Sequence, residues 1–319
     1  MCTAIKYKGF VGRNLDYDFS FGEEVVITPR NYIFKFKNDS FIKKHFAIIG
    51  VAHVEDNYPL YYDAMNEKGL SMLGLNFVGN AVYSSKLSQT KRNIAQFELI
   101  PWILSKCANV AEVRKLLKET NITNVPFSDK FPTAQLHYMI ADKENCIVLE
   151  LTKAGLNIYK DPMGVLTNNP LFPMQLFNLN NYSGVVADTP LGRFAKNIPI
   201  DDYSRGMGAI GLPGDPSSMS RFVRVTFVLN NSVDDSNTLN QFFHILHSVE
   251  QQKGVCEVKK NEFEYTIYTS CMDLENLDYY YTTYRSHQIN VVHMNNINLE
   301  NKDLSRFKMV QEDLINSQN

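Results

Sequence analysis

The sequence lacks an excess of charge of either sign, and this absence excludes two classes of partner. It has 32 lysines and arginines against 34 aspartates and glutamates, so its formal net charge is −2. A protein that binds nucleic acid or an anionic membrane surface by electrostatic attraction carries a basic patch or a basic excess. We therefore expect neither nucleic acid nor an anionic membrane as a partner.

Long apolar runs are also missing. No stretch approaches the roughly 20 apolar residues that a membrane-spanning helix needs. The opening residues MCTAIKYKGFVGRNLD contain no apolar core followed by a small-residue cleavage site, so a secretory signal is not expected. Together these absences predict a cytoplasmic protein that does not insert into a membrane.

Cysteines are few, and motifs for metals or phosphates are missing. The chain has five cysteines, an odd number, and none of them forms a CxxC pair. In a chain of this size without an export signal, reduced thiols are the expected state. HExxH does not occur, and the glycines that precede Ser217 follow neither the GxGxxG nor the Walker order. The sequence predicts no metal site and no cofactor.

The residues that are present predict one domain that spans residues 1–319. The chain is 44% hydrophobic, which suffices for a large core. Strand-like runs occur at residues 2–7, 10–15, 24–28, 32–36, 46–54, 70–76, 135–140, 146–151, 156–159, 263–270, 278–284 and 289–293. Helical spacing occurs at residues 93–107, 109–120, 170–179, 218–229 and 238–249. Strands and helices come in blocks without strict alternation, which indicates an α+β fold with mostly antiparallel sheets.

Cys2 becomes the first residue if Met1 is removed, and it then carries both a thiol and a free α-amine. Because an α-amine has a pKa of about 7.7–8.0, it can accept the thiol proton near neutral pH and return it to a leaving amine. An N-terminal threonine is activated by its own amine in the same way. Many proteins carry a small residue after Met1 without such an activity, so this residue alone leaves both interpretations open.

Polar residues interrupt the next predicted strand soon after Cys2. With the two-residue period of a strand, Arg13 and Leu15 share one face, and Asn14 and Asp16 share the other. A hairpin formed by the first two strands would bring this group beside Cys2. A cation there would favour a thiolate, and a carboxylate could hold the α-amine. A surface Arg–Asp pair at a strand end explains the same residues equally well.

Three further polar residues are candidates for a catalytic site. Asn76 in GLNF and Asn168 in LTNNP each end an apolar run, and an asparagine amide is a suitable donor to an oxyanion. Asparagine is also a favoured turn residue, so a structural role remains open. Arg221 falls in the first turns of a predicted helix, where the helix dipole disfavours a cation. This placement indicates a specific partner for Arg221, with a surface ion pair as the alternative.

Many segments of the chain appear in the order found in one known family. They are MCTAI, GRNLDYDFSFGEEVVITPRNY, PLYYDAMNEKGL, GLNF, GVLTNNP, GMGAIGLPGDPSSMSRF, NQFFHIL, SVEQQKG and EYTIYTSC. The chain thereby resembles the choloylglycine hydrolase family, and within it the bacterial bile salt hydrolases. The resemblance implies the N-terminal nucleophile hydrolase fold, a four-layer αββα sandwich. It also implies hydrolysis of the amide between a steroid acid and glycine or taurine, without a cofactor, by a homotetramer.

The resemblance implies catalytic roles for six residues: Cys2, Arg13, Asp16, Asn76, Asn168 and Arg221. The thiol of Cys2 would be the nucleophile, while Arg13 and Asp16 would tune the thiolate and orient the α-amine. Asn76 would donate to the oxyanion, and Asn168 would position groups on the oxyanion side. Arg221 would lie near Cys2 and the scissile bond.

The resemblance also implies an apolar steroid pocket, for which the candidate wall residues are Leu15, Tyr62, Phe127 and Phe131. The chain departs from common family residues at Met72, Tyr138, Leu171 and Ala209, none of which removes a catalytic group. These departures bear on substrate preference.

Three functions therefore remain open at this stage. The first is a bile salt hydrolase, and the second is a penicillin V acylase or N-acyl homoserine lactone acylase of the same family. The asparagine of GLNF resembles the bile-salt branch. The third is a silent protein that binds amphiphiles in an apolar cleft, against which the complete polar set argues.

Overall fold

Antiparallel strands are the main regular elements of the structure, a computed structural model that describes residues 1–39, 41–189, 195–233 and 238–319. The strands in these ranges are β1 Cys2–Tyr7, β2 Phe10–Tyr17, β3 Glu24–Thr28, β4 Ile48–Glu55, β5 Tyr58–Asn66, β6 Ser71–Asn76, β7 Arg92–Ala95, β8 Thr120–Thr123, β9 Leu136–Ala141, β10 Cys146–Thr152, β11 Gly155–Lys160, β12 Val165–Leu166, β13 Glu257–Lys259, β14 Glu262–Phe263, β15 Tyr265–Asp273, β16 Asp278–Thr283, β17 Ser286–His293 and β18 Ser305–Lys308. The α-helices in the same ranges are α1 Leu99–Leu104, α2 Val110–Lys118, α3 Phe172–Asn178, α4 Ser218–Asn231 and α5 Thr238–His247.

Two large antiparallel sheets lie at the centre of the described structure. The first has six strands in the order β12-β1-β2-β15-β16-β17, and the second has eight in the order β11-β10-β9-β6-β5-β4-β3-β18. The two ends of the chain meet in the first sheet, because β2 pairs with β15. The site at the amino terminus therefore forms only when distant parts of the sequence come together.

Helices cover the outer faces of both sheets. Helices α4 and α5 contact β1 of the first sheet, and α1 contacts β5 and β6 of the second. Apolar side chains fill the space between the sheets, where Val25, Ile49 and Leu73 of the second sheet belong to one buried cluster with Ala4 and Val11 of the first. The predicted α+β fold and the four-layer αββα arrangement of N-terminal nucleophile hydrolases are thus confirmed.

The predicted amino-terminal hairpin is present. Tyr7 faces Phe10 across the turn, and Cys2 faces Leu15 at the open end of the pair. Lys8 has a positive φ of 55°, which the tight turn requires. Asn109 caps the amino terminus of α2, since its side chain accepts a hydrogen bond from the backbone N–H of Glu112.

Two sequence predictions of secondary structure are wrong. Residues 32–36 are not a strand, although Tyr32, Phe34 and Phe36 are buried and the residues between them are exposed. The segment has a single isolated bridge, from Phe34 to Ile42. Its buried residues alternate with exposed ones because one side of the segment is buried, and no strand in the described ranges pairs with it. Residues 93–107 begin with β7 and hold only the short α1.

Several strands were not predicted from the sequence, and β5 (Tyr58–Asn66) is the longest of them. Pro59 near its start cannot donate a ladder hydrogen bond, and it weakened the strand signal of the sequence.

No helix within the described ranges is long and apolar enough to cross a membrane.

Two glycines of the hairpin provide a test of this packing. A Cβ on Gly12 would lie 1.9 Å from the carbonyl oxygen of Ser270, so Gly12→Ala must force β2 and β15 apart. Overpacking of this kind costs about 3 kcal/mol of unfolding free energy. A Cβ on Gly9 meets nothing within 4 Å, so Gly9→Ala is the matched control. Chemical denaturation should show a large loss for Gly12→Ala alone, and equal stability of the two variants would contradict the packing described.

Candidate functional site

The side chain of Cys2 lies between the two sheets, at one end of a cavity. Cys2 pairs with Leu15 and Ala4 pairs with Arg13, so these four side chains leave the first sheet on the same face. Only 3% of Cys2 is exposed, and its backbone N–H donates a 2.7 Å hydrogen bond to Oδ1 of Asn168. The hairpin therefore places a thiol and a buried arginine side by side, as the sequence predicted.

Arg13 is a buried cation that bonds to the backbone of the second sheet. Its Nη1 donates to the carbonyl oxygens of Gly74 at 2.5 Å and Tyr62 at 3.3 Å. Burial acts to lower the pKa of Arg13, but Cys2, Tyr268 and Asp63 raise it by more, so the pKa lies above its usual value. Arg13 thus stays charged, and a fixed cation beside a thiol favours the thiolate.

Asn168 connects Cys2 to the rest of the site. Its Oδ1 accepts hydrogen bonds from the Cys2 N–H and from Nη2 of Arg221 at 2.8 Å. Its Nδ2 donates to the carbonyl oxygen of Asn76 at 2.8 Å, at the end of β6. One carboxamide therefore joins the first sheet, the second sheet and α4.

Arg221 holds the other side of the Cys2 backbone. Its Nη1 donates to the Cys2 carbonyl oxygen at 2.6 Å and to Oγ1 of Thr3 at 2.5 Å, and its Nε donates to the Pro216 carbonyl oxygen at 2.9 Å. Burial lowers the pKa of Arg221, and the charges of Asp16 and Cys2 oppose this shift. The sequence predicted a specific partner for Arg221, and these contacts supply it.

Asp16 lies on the opposite face of β2 from Arg13. Its carboxylate accepts hydrogen bonds from Oγ1 of Thr266 at 2.7 Å and from Nε2 of Gln251 at 3.4 Å. Its backbone pairs with Met1: the Asp16 N–H donates to the Met1 carbonyl oxygen at 2.9 Å, and the Met1 ammonium donates to the Asp16 carbonyl oxygen at 2.7 Å. Asp16 is therefore beside the amino terminus, although its carboxylate points away from the Cys2 thiol.

The amino terminus itself is enclosed. Burial lowers the pKa of the Met1 ammonium, while Cys2 and Asp16 act in the opposite direction. The Met1 ammonium also forms an ion pair with the carboxylate of Glu264. Sequence reasoning did not single out Glu264, Gln251 or Thr266, because their link to the amino terminus comes from the pairing of β2 with β15.

A cavity of about 480 Å³ opens from Cys2 along the second sheet. Cys2, Arg13 and Asn76 line its reactive end. All four predicted wall residues also line it: Leu15, Tyr62, Phe127 and Phe131.

The rest of the wall includes several side chains that sequence reasoning did not select. They include Tyr17, Phe21, His53, Leu60, Phe97 and Ile100, together with Tyr138, where the chain departs from its relatives. The Tyr138 hydroxyl accepts a 2.9 Å hydrogen bond from Nε2 of Gln96, so this wall is firmly held. An apolar cavity with a few polar groups at one end suits a ligand with an apolar body and one reactive bond.

Among the residues that the structure describes, no group of three or more histidine, cysteine, aspartate or glutamate side chains could hold a metal ion. What the arrangement offers is a thiol next to a fixed cation and close to the chain terminus. A thiol in this setting is suited to nucleophilic attack on a carbonyl carbon.

Comparison with known proteins points in the same direction. Residues 2–307 match the model of the linear amide C–N hydrolases, choloylglycine hydrolase family. A bile salt hydrolase/transferase of Lactiplantibacillus plantarum is 50% identical over 98% of both chains. A bile salt hydrolase/transferase of Clostridium perfringens is 37% identical over 97% of both chains.

Solved structures show the same similarity. The C2A mutant of a conjugated bile acid hydrolase from Clostridium perfringens superimposes with a TM-score of 0.91, at 35% identity and full coverage of both chains. A penicillin V acylase from Agrobacterium tumefaciens has a TM-score of 0.74 over 96% of this chain and 91% of its own, at 19% identity. The second comparison bears on the fold alone.

The five free thiols should differ sharply in reactivity. Burial raises the pKa of Cys107 to about 12 and also raises the pKa of Cys146 and Cys271. These three thiols stay protonated at pH 8, whereas Cys2 lines the cavity beside Arg13 and Cys256 is partly exposed. Iodoacetamide at pH 8 should therefore label Cys2 and Cys256 in the folded protein, as peptide mass spectrometry would show. Urea-unfolded protein is the control and should label at all five cysteines; rapid labelling of Cys107 in the folded protein would contradict this site.

Proposed function

This chain belongs to the choloylglycine hydrolase family of linear amide C–N hydrolases, and on that premise we propose that it hydrolyses conjugated bile acids. The bond cleaved is the amide between the steroid acid and glycine or taurine. The observation that carries the proposal is the position of Cys2 at the reactive end of an apolar cavity. The names of the relatives supply the class of substrate.

In the proposed reaction, removal of Met1 frees the α-amine of Cys2. That amine takes the proton of the Cys2 thiol, and the thiolate attacks the amide carbon. The amide nitrogen then takes the proton and leaves as the amine of glycine or taurine, so a thioester remains on Cys2. Water attacks the thioester carbon and gives a proton to the α-amine. The C–S bond then breaks, the free steroid acid leaves, and the α-amine returns the proton to the sulfur of Cys2.

The surrounding residues have distinct tasks in this proposal. Arg13 supplies the positive charge that favours the thiolate, and the side chain of Asn76 donates to the oxyanion of the tetrahedral intermediate. Asn168 and Arg221 hold the Cys2 backbone through the hydrogen bonds to its N–H and its carbonyl oxygen. Asp16, anchored by its bonds to Thr266 and Gln251, favours the protonated form of the adjacent amine.

The cavity supports a steroid as the acyl part of the substrate. A rigid, mostly apolar ring system needs an apolar wall and few polar anchors. Rings pack along this wall, with the centroids of Phe97 and Phe127 5.2 Å apart and those of Phe127 and Phe131 6.2 Å apart. The assembled polar groups around Cys2 argue against a silent amphiphile-binding protein.

The assay that tests the function compares three substrates. Purified protein is incubated with glycocholate, taurocholate and penicillin V, and the released amines and acids are quantified. Release of glycine or taurine well above that of 6-aminopenicillanic acid supports the proposal. Faster turnover of penicillin V would favour the acylase alternative, and binding of glycocholate without any release would favour the silent binding protein.

Acyl transfer is a second activity to consider, because the two relatives described above are named bile salt hydrolase/transferase. A free amine that replaces water in the attack on the thioester would form a new amide. The same Cys2 intermediate serves both outcomes.

We further propose a cytoplasmic homotetramer. A nucleophilic thiol that oxidation inactivates suits a reducing compartment. Apolar side chains are exposed along the segment around α3 and the residues that follow it, among them Met174, Phe177, Tyr203 and Ile210. A partner subunit could cover them, and sedimentation of the purified protein tests this assembly.

The proposed nucleophile predicts a clear result for two substitutions. Cys2→Ala should abolish turnover, and Cys2→Ser should nearly do so, because an amine of modest basicity activates a hydroxyl poorly. Thermal unfolding should change little, since both side chains fit the same site. Intact mass of the active wild-type enzyme should correspond to a chain that starts at Cys2. Full activity with Met1 retained, or substantial activity of folded Cys2→Ala, would rule out this mechanism.

Oxyanion and steroid contacts should affect different kinetic constants. Asn76→Ala should lower kcat by about 10²–10³, because its contact strengthens as charge develops. Phe127→Ala and Phe131→Ala should raise KM for bile salts with little effect on kcat, because their contacts are equal in the ground and transition states. Steady-state kinetics with glycocholate measures both effects. A change in KM alone for Asn76→Ala would contradict its assignment as an oxyanion donor. An unchanged KM in both phenylalanine variants would contradict the assignment of Phe127 and Phe131 to the steroid pocket.

A further inference from the structure

Buried side chains from outside the cavity hold the backbone around Asn168. The Asn168 N–H donates to Oγ of Ser218 in α4 at 2.9 Å, and the Thr167 carbonyl oxygen accepts from Nε2 of His137 in β9 at 2.8 Å. Gln175 makes two further contacts with this backbone. Its Nε2 donates to the carbonyl oxygens of Asn168 at 2.6 Å and Pro170 at 3.2 Å.

The orientation of the Gln175 amide is fixed by its partners. The residue is fully buried on α3, and its Oε1 accepts a 2.7 Å hydrogen bond from Oγ1 of Thr167. Its nitrogen faces two carbonyl oxygens, which can only accept. A carboxylate at this position would place an oxygen against both carbonyls, with no donor to offer.

Gln175 has no contact with the cavity, yet the segment that it holds carries the carboxamide nearest to Cys2. The lining of the cavity includes Cys2 and Asn76 but not Gln175. The 167–170 loop presents the Asn168 carboxamide to the Cys2 N–H on one side and to the Asn76 carbonyl oxygen on the other. A shift of this loop therefore moves the proposed general base and the proposed oxyanion donor relative to each other.

We propose that Gln175 is a positioning residue that sets the Asn168 carboxamide, and through it the Cys2 amine, for catalysis. This inference rests on the proposed function of the same site. A misplacement of about 1 Å at a reacting group can cost on the order of 10²-fold in rate. The loss should appear in kcat, because Gln175 contacts no part of the substrate cavity.

A buried amide elsewhere in the chain provides a matched control. Asn66 is also fully buried, and its Nδ2 donates to the carbonyl oxygens of Leu104 at 2.8 Å and Cys107 at 2.7 Å. Its Oδ1 accepts from the N–H groups of Lys68 and Leu70. Asn66 and Gln175 thus each bind two backbone carbonyl oxygens with a buried amide nitrogen. Asn66, however, lies at the α1 side of the second sheet, away from Cys2.

The experiment compares Gln175→Glu and Gln175→Met with Asn66→Asp. Each variant is assayed with glycocholate well below its own melting temperature, and the pH dependence of Cys2 alkylation by iodoacetamide is measured in parallel. Both Gln175 variants should lose about 10- to 100-fold in kcat at nearly unchanged KM, with a shifted alkylation profile. Asn66→Asp should lose stability but keep the wild-type kcat and alkylation profile. Gln175→Met keeps the side-chain size without charge and serves as the test if Gln175→Glu does not fold.

Two results would overturn the inference. One is a Gln175 variant that loses stability like Asn66→Asp but keeps kcat and the alkylation profile of the wild type. The other is an equal loss of kcat in Asn66→Asp, which would make the effect one of general stability. Failure of the wild-type enzyme to hydrolyse any bile salt would be a separate outcome. It would defeat the proposed function, while alkylation would still report whether Gln175 positions the groups around Cys2.

Discussion

The hydrogen bonds of the Asn168 carboxamide are the interaction on which the rest of the site depends. They join the Cys2 N–H of the first sheet, the Asn76 carbonyl oxygen of the second sheet and the guanidinium of Arg221 on α4. A carboxamide has an acceptor and two donors on one rigid plane, so it can satisfy both kinds of partner at once. An aspartate there would repel the Asn76 carbonyl oxygen, and an aliphatic residue would leave buried polar groups without partners.

Two buried arginines lie near Cys2, and removing a cation from water is costly unless its donors are satisfied. Arg13 donates to two carbonyl oxygens of the second sheet, and Arg221 donates to backbone and side-chain oxygens at Cys2, Thr3 and Pro216. Neutral oxygens make up most of these partners, so the positive charge is oriented without being cancelled at close range. It therefore remains available to a negative charge that develops on sulfur or oxygen in the cavity.

The sequence predicted those parts of the site that depend on local periodicity. The two-residue period of a strand placed Arg13 and Leu15 on one face. The predicted hairpin then placed that face beside Cys2. The roles of Gln251, Thr266 and Glu264 could not be predicted, because they require the pairing of β2 with β15 across most of the chain length. The same periodicity misled at residues 32–36, since alternating burial does not require a neighbouring strand. Local patterns singled out Asn76, Asn168 and Arg221 but left turn and surface roles open for them, and only the family resemblance implied a catalytic role for each.

The position of the site at the junction of both sheets and α4 also explains why its polar residues are supported from several layers. Three of the catalytic candidates are held by elements other than their own: Asn168 by α3 and α4, Arg13 by β5 and β6, and Arg221 by β1. Such cross-layer bonds form only when the sandwich is assembled, so the reactive geometry is a property of the complete fold. The thiol has these neighbours only in the folded chain, and the apolar cavity beside it limits which groups can reach it.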